Sequence, residues 1–349
     1  MALAVSVLIL GNFMLDAVTY VLESEFELAQ RQDVSVTFFD PRSSEVIYDL
    51  GHLPGVQHVQ PFRVVPARLR FGHRSRRLAI MGVEPGGQLY RLMNLERELI
   101  DVPPDGVVIS QKLGELLDVG VGDLLTVEVL EGDRPVREVP IRALVTDFSG
   151  LSAYMDIEAV NRLMREGPVV SGAYVAVDDR YLDELYSELK STPRVAGVTL
   201  RTAALTSFRE TVAENLLRMR MINVIFASII AFGVVYNSAR ISLSERSREL
   251  ATLRVIGFTR AEISLILFGE LAILTLAAIP LGLWIGRQLA GFVVMSAYNT
   301  ELFRIPLIVS PMTYGFASTV TLVAAIFSAL VVRRMIDQLD LVAVLKSKE

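Results

Sequence analysis

The chain has 349 residues, 52% hydrophobic and 21% charged, with a mean hydropathy of +0.45. That hydropathy is high for a water-soluble protein, yet the charged fraction is ordinary; a membrane protein carrying one large water-exposed domain satisfies both. A formal net charge of −5 argues against a nucleic-acid partner, and the absence of cysteine excludes disulfides and thiolate metal sites. The three histidines, His52, His58 and His73, have no second ligand at metal-site spacing, so neither a metal nor another cofactor is expected.

A helix needs about 20 apolar residues to cross a bilayer. Four runs reach that length: Ala2 to about Tyr20, Met221 to Ala239, Ile263 to Gly286, and about Met312 to Val332. The rival reading of the first run is a cleaved signal peptide, but it lacks a basic lead-in and a small-x-small cleavage site, so it reads as a membrane helix. Leu22–Gln32 continues it as a Glu-rich polar helix, which makes 1–32 a first helix with a stalk.

Residues 33–202 read as an α/β domain. Val34–Phe39 has strand composition, and Ala67–Phe71 with Arg77–Val83 reads as a hairpin turned at Gly72-His73-Arg74-Ser75. Val107–Ser110 is a short buried strand leading into a helix at Gln111–Leu117. Leu124–Leu130 and Val136–Val145 form a second hairpin, and Asp156 is placed to cap a helix through about Met164. Leu53–Val59 and Thr192–Val198 share a P-x-V-x-x-V pattern, each after a helical stretch, as two related helix–strand units would. Ala203–Arg220 then leads helically into the second membrane segment, so 203–241 pairs a second stalk with a second span. Two such extensions form a stalk able to transmit motion. The segment 242–262 is a charged loop, and 263–349 holds the last two spans and a short tail.

Basic residues set the orientation. The loop after the second span carries Arg240, Arg246, Arg248, Arg254 and Arg260, and the tail carries Arg333, Arg334, Lys346 and Lys348. The loop between the third and fourth spans holds only Arg287 and Arg304. The basic loop and the tail are therefore expected inside, and parity places the α/β domain outside. No charge precedes Asp16, so nothing basic anchors the start of the first span. The expectation is that the chain begins at a membrane helix of a longer protein.

No constellation for catalysis emerges. G-x-x-x-x-G-K-[ST], H-E-x-x-H and G-x-S-x-G are all missing, and Gly120-Val121-Gly122-Asp123 reads as a tight turn rather than a phosphate loop. The most informative stretch is Ser242–Ile263, SLSERSRELATLRVIGFTRAEI. Arg246, Glu249, Leu250, Leu253 and Arg254 fall at helical spacings, with the two leucines on one stripe. Gly257 is placed to stop that helix, and Thr259 with Glu262 forms a capping box for the next. Such an element suits docking of a cytosolic partner; on composition alone, a loop whose arginines only fix topology is the favoured reading.

The string ERSRELATLRVIGFTRAEI at 245–263 resembles the signature of FtsX-like, or MacB-type, ABC transporter permeases. PDGVVISQKLGELLDVGVGDLLTVEV at 104–129 is similar to that family's periplasmic core domain, and LDLVAVL at 339–345 to its tail. The resemblance implies a membrane α-helical protein of four transmembrane helices with one α/β extracytoplasmic domain between helices 1 and 2. It implies an FtsX-like permease domain at about 221–345 and a place in the cell (inner or plasma) membrane. It further implies that Glu245, Arg246, Arg248, Glu249, Leu253, Arg254 and Gly257 seat a separate ABC ATPase subunit, the chain itself being non-catalytic. The chain resembles the second half of a longer two-unit permease, which implies a second permease unit as partner, either another copy or an upstream half. A periplasmic adaptor or a lipoprotein is a further partner of such proteins.

Polar and small residues inside the spans mark packing positions. Asn12 and Asp16 lie four apart on one face and are expected at the seam with a second unit. Glu270, about two turns into the third span, is expected to hydrogen-bond between helices. Gly282 and Gly286 form a G-x-x-x-G that permits close helix contact. The function expected is ATP-driven mechanotransmission, moving the outer domain for export or for handling lipoproteins or other envelope substrates. The alternative is a membrane-bound sensor or regulator whose outer domain binds a ligand or an envelope partner; a membrane-anchored enzyme is disfavoured by the missing motifs.

Overall fold

The computed structural model describes residues 1–147, 151–245, 249, 252–253, 256–298 and 305–338. Two units divide the chain. One consists of Met1–Val18, Val212–Ser296 and Leu307–Glu349; the other consists of Thr19–Thr211 and Ala297–Pro306.

Helix α1 (Ala2–Leu22) passes into a π-helical turn, Glu23–Ala29, and then into the sheet of the second unit. In chain order this unit runs β1 (Val34–Ser43), α2 (Glu45–Gly51), β2 (Val56–Phe71), β3 (Arg74–Val83), β4 (Val107–Ser110), α3 (Gln111–Leu117) and β5 (Leu124–Val129). It continues with β6 (Val136–Val145), β7 (Ala153–Asp156), α4 (Ile157–Met164), β8 (Val169–Val177), α5 (Leu182–Ser191) and β9 (Val195–Leu200). The strand order is β3-β7-β4-β6-β5-β2-β8-β1-β9, and β3 also pairs with β2.

Two modules share the long strand β2. On one side β2, β8, β1 and β9 are mutually antiparallel neighbours, with α2 joining β1 to β2 and α5 joining β8 to β9. This is the split β-α-β arrangement. The repeated P-x-V-x-x-V segments occupy equivalent places in its two halves, at the entries to β2 and β9. Leu50 of α2 and Leu185 and Leu189 of α5 are buried with Val34, Val36, Val170 and Val175 of the sheet. Gly172 is required in β8, since a Cβ there would lie 2.2 Å from the Val36 carbonyl oxygen and 2.4 Å from the Phe62 ring.

On the other side the second half of β2 pairs with β3 and β5, and the β2–β3 hairpin closes a six-stranded ring through β7, β4 and β6. Gly72 at φ +56 takes the first place of its two-residue turn, where a mirror-image hairpin turn favours glycine. Alternate residues Val65, Ala67 and Leu69 point into the barrel with Ile80, Ile109, Leu125, Val127 and Ile141, and α3 and α4 close it with Leu113, Leu117, Val160 and Leu163. The caps follow the local sequence: Ser110 Oγ accepts from Leu113 N–H (3.3 Å) and Asp156 from Glu158 N–H (2.7 Å).

Where β2 passes between modules, Arg63 is 1% exposed. Its guanidinium donates to Ser171 Oγ at 2.9 Å, Glu131 at 2.7 Å and Glu166 at 3.2 Å, so the β5–β6 turn and the loop before β8 are tied to one buried charge. Arg63→Met leaves those carboxylates without their cation. We expect a loss of about 2–3 kcal/mol, below the full cost of breaking a buried pair because both carboxylates keep partial solvent contact. Thermal unfolding of the α/β unit within the full chain measures it; an unchanged midpoint would show the charge to be incidental.

The remaining helices are α6 (Arg201–Glu245), α7 (Arg260–Val293) and α8 (Pro311–Gln338). Among the described residues four helices are long and apolar enough to cross a membrane: Ala2–Ala29, Arg201–Ser242, Gly269–Ser296 and Pro311–Val331. The polar segment 203–220 and the second apolar run form one unbroken helix of 45 residues. At 1.5 Å per residue that is about 68 Å, roughly twice a bilayer's hydrocarbon thickness. The third span continues past Gly286, where the sequence reading ended it, because Arg287-Gln288-Leu289-Ala290 are all good helix formers. Val5, Leu8 and Ile9 of α1 are buried with Ala227 of α6 and Ala317 of α8. Outward residues such as Ile225, Phe226, Ile229, Ile273, Leu274 and Trp284 are apolar and exposed, as a lipid-facing surface requires.

Candidate functional site

Helix α6 runs to Glu245, and Glu249, Thr252, Leu253 and Ile256 beyond it are helical. Glu245 and Glu249 are exposed, Leu253 is half-buried and Ile256 is 70% exposed. Arg246, Arg248 and Arg254 lie outside the described residues. The helix stops at Gly257, whose φ is +112, and Phe258 N–H donates back to the Leu253 carbonyl at 3.1 Å. That six-to-one bond is the mark of a Schellman stop.

The next helix starts at Arg260, three residues on, with Thr259 as its N-cap. Thr259 Oγ1 accepts from Glu262 N–H at 3.3 Å, while the Glu262 carboxylate accepts from Thr259 N–H at 2.7 Å and its hydroxyl at 2.8 Å. The capping box is complete. These hydrogen bonds hold the Glu262 carboxyl below the usual carboxylate range. Its contribution to the helix start is therefore present above that range and lost as the pH falls through the lowered value. The result is a tight, capped turn into α7, with Glu249, Ile256 and Phe258 exposed around it. Among the described residues no three His, Cys, Asp or Glu stand together as metal ligands.

Within the spans, Gly282 and Gly286 lie against α1. A Cβ on Gly282 would meet the Ala2 carbonyl oxygen and Val5 Cβ, each at 2.6 Å; one on Gly286 would meet Ile9 Cβ at 2.7 Å. Ser6 Oγ donates to the Gly282 carbonyl at 3.0 Å across the same contact. Asn12 and Asp16, expected at a seam with a second unit, each hydrogen-bond within this chain. Asn12 is 1% exposed and donates to the Leu8 carbonyl at 2.8 Å, and Asp16 accepts from Ser310 N–H at 2.8 Å at the start of α8. A carboxylate there complements the positive end of the helix dipole. Glu270 is half-buried on α7.

Residues 221–339 match the family profile described as FtsX-like permease C-terminal. The chain carries an FtsX-like permease domain. No curated protein matches the chain. Among solved structures, the extracellular domain of the noncanonic ABC-type transporter YknZ from Gram-positive bacteria is similar at 14% identity and a TM-score of 0.32, covering 48% of this chain and 98% of that one. The periplasmic region of MacB from Actinobacillus actinomycetemcomitans is similar at 14% identity and a TM-score of 0.34, covering 54% and 97%. The matched residues contain the capped turn and both glycines, while α1, which packs on those glycines, lies before them.

Sequence reasoning missed a second cluster in the outer unit, where the end of α1 meets the start of α6. Arg201 donates to the carbonyls of Gln32 (2.9 Å) and Phe26 (3.1 Å), Phe208 stacks obliquely on Phe26, and Arg209 pairs with Glu27 at 3.4 Å. On its other side the same α1 extension meets Arg97, from the segment between β3 and β4. The only signal in the sequence was the facing charge of Glu-rich 23–27 and the arginines at 201 and 209.

Proposed function

We propose that this chain is the permease subunit of an ABC transporter that works by mechanotransmission. The observation that carries the reading is the FtsX-like match over 221–339, with the capped turn at Leu253–Glu262 inside it. A separate cytosolic ATPase seats on the turn through Glu245, Arg246, Arg248, Glu249, Leu253 and Arg254, with Gly257 fixing the helix stop. Closure of the ATPase moves α6, and the motion reaches Arg201–Arg209, where α6 grips the α1 extension. The outer α/β domain then acts on an exported or envelope substrate. In this reading the chain spans the cell membrane four times, with the docking turn and C-terminus inside and the domain between α1 and α6 outside, and it pairs with a second permease unit.

Purified to homogeneity, the chain should neither bind nor hydrolyse ATP, because no phosphate-binding loop occurs in it. Hydrolysis should appear only when a separate nucleotide-binding subunit co-purifies, and hydrolysis by the chain alone would refute the permease reading. Orientation is checked by single substitutions in this cysteine-free background. Ser75→Cys and Ser187→Cys should react with a membrane-impermeant maleimide in intact cells, and Ser247→Cys and Ser347→Cys only after lysis. Labelling of Ser247→Cys from outside would invert the arrangement.

A further inference from the structure

The segment between β3 and β4, residues 84–106, forms a strap held at one end to the sheet and at the other to the α1 extension. Its first end is fixed by Gln60, whose Oε1 accepts from Leu89 N–H (2.7 Å) and Tyr90 N–H (3.2 Å), and by Tyr90, stacked on Tyr174 with centroids 5.0 Å apart. Backbone bonds join it to the entry of β1: Arg31 N–H donates to the Leu89 carbonyl and Arg91 N–H to the Ala29 carbonyl.

Its other end is a small, heavily bonded loop. Asn94 Oδ1 accepts from the N–H groups of Glu96 (2.9 Å) and Glu98 (2.8 Å), Asn94 N–H donates to the Glu98 carbonyl, and Leu95 N–H donates to the Thr146 carbonyl. This loop holds Arg97 at φ +66. The left-handed region is costly for any residue with a Cβ and suits glycine or asparagine, so the backbone alone gives no reason for arginine here.

The side chain supplies the reason. The Arg97 guanidinium lies 4.0 Å over the Tyr20 ring, donates to Ser24 Oγ at 2.9 Å and pairs with Glu23 at 3.0 Å. Tyr20 completes the contact by donating its hydroxyl to the Leu95 carbonyl at 2.8 Å. Three consecutive kinds of contact, stacking, neutral hydrogen bond and ion pair, converge on one turn of the α1 extension, and only a planar guanidinium makes all three. Arg97 is 31% exposed, so solvent screening weakens each contact and their combined geometry carries the effect.

We propose that Arg97 is a positioning residue, a clasp that fixes the exit of α1 to the outer domain so that displacement of the helix is delivered as movement of the whole domain. The proposal rests on the permease reading for its purpose and on the contacts above for its existence, and the two can be tested apart. Arg97→Gly removes the clasp while relaxing the backbone, so the variant should fold. The full chain, alone and with its ATPase, is followed by amide hydrogen exchange. In Arg97→Gly the amides of 20–29 should exchange about tenfold faster or more, with the barrel strands unchanged. Hydrolysis by the assembled complex should stay within about twofold of wild type, while the nucleotide-dependent exchange change in the outer strands is lost. Arg97→Lys, which keeps the charge but not the fork, should fall between.

Unchanged exchange at 20–29 overturns the clasp, as does an outer-domain response to nucleotide that persists undiminished in Arg97→Gly. Loss of ATPase binding in that variant would assign Arg97 to folding rather than transmission and overturns the proposal too. If the wild-type chain acquires no ATPase at all, the permease reading fails, while exchange at 20–29 still decides whether the clasp exists.

Discussion

Gly286→Ala should destabilise the membrane unit by about 1–3 kcal/mol, whereas Gly269→Ala in the same helix should be neutral or stabilise by up to about 1 kcal/mol. Alanine is the better helix former at both positions, so the sign at Gly286 comes from packing alone. A new Cβ there meets the Cβ of Ile9 at 2.7 Å, and a β-branched residue held in a helix cannot rotate that atom away. Gly282→Ala should cost at least as much, since the obstacle is the Ala2 backbone oxygen and the Ser6 bond to the Gly282 carbonyl is strained with it. Gly269 faces open space. Gly11→Ala should also cost stability, because its Cβ would meet the Asn223 amide nitrogen at 2.3 Å and the Asn223 Cβ at 2.9 Å, and only the amide can swing aside. Thermal unfolding in detergent, read for this series of four, separates close helix contact from chance spacing. Equal midpoints for Gly286→Ala and Gly269→Ala would mean that the G-x-x-x-G does not join α1 to α7.

Charge reversal in the docking turn should abolish ATPase association without affecting insertion. Breaking a desolvated ion pair at a protein interface costs about 2–5 kcal/mol, roughly thirtyfold or more in affinity. Arg254→Glu and Glu249→Arg test it from either sign. If the arginines only set topology, Arg240, Arg246, Arg248 and Arg260 remain to do so, and both variants should behave as wild type. Gly257→Val should fail by another route. At φ +112 a β-branched residue is excluded, so the Schellman stop and the start of α7 at Thr259 cannot both persist. Co-purification of the ATPase with each membrane-inserted variant is the measurement.

Local signals made much of this legible. The capping box at Thr259 and Glu262, the stop at Gly257 and the strands Val107–Ser110 and Val136–Val145 each have a cause within a few residues, and each stands where the sequence placed it. Strand β8 escaped because it is central. VVSGAYVAV packs on both faces and carries Gly172 to let the Phe62 ring pass, so it shows neither alternation nor the flanking turn signals of an edge strand. Asn12 and Asp16 show what spacing alone leaves open. Their four-residue spacing defines a face but not its neighbours: Asn12 bonds back to Leu8 within α1, while Asp16 reaches Ser310 at the start of α8. Arg97 was invisible for the same reason: nothing periodic surrounds it, and its partners lie more than seventy residues away in sequence.

The central claim is that a separate ATPase seats on the turn between α6 and α7, and a cross-link from Glu249→Cys tests it most directly. Glu249 is exposed, and the chain has no other cysteine to confuse the product. With a short thiol-to-amine reagent that enters cells, the account predicts a single adduct containing a P-loop ATPase, identified by mass spectrometry. The adduct should be lost in the Arg254→Glu background and unaffected by Ser187→Cys labelling of the outer domain. Labelling of Glu249→Cys from outside the cell, or an inside-facing cysteine that never joins an ATPase in cells producing the whole transporter, would contradict it.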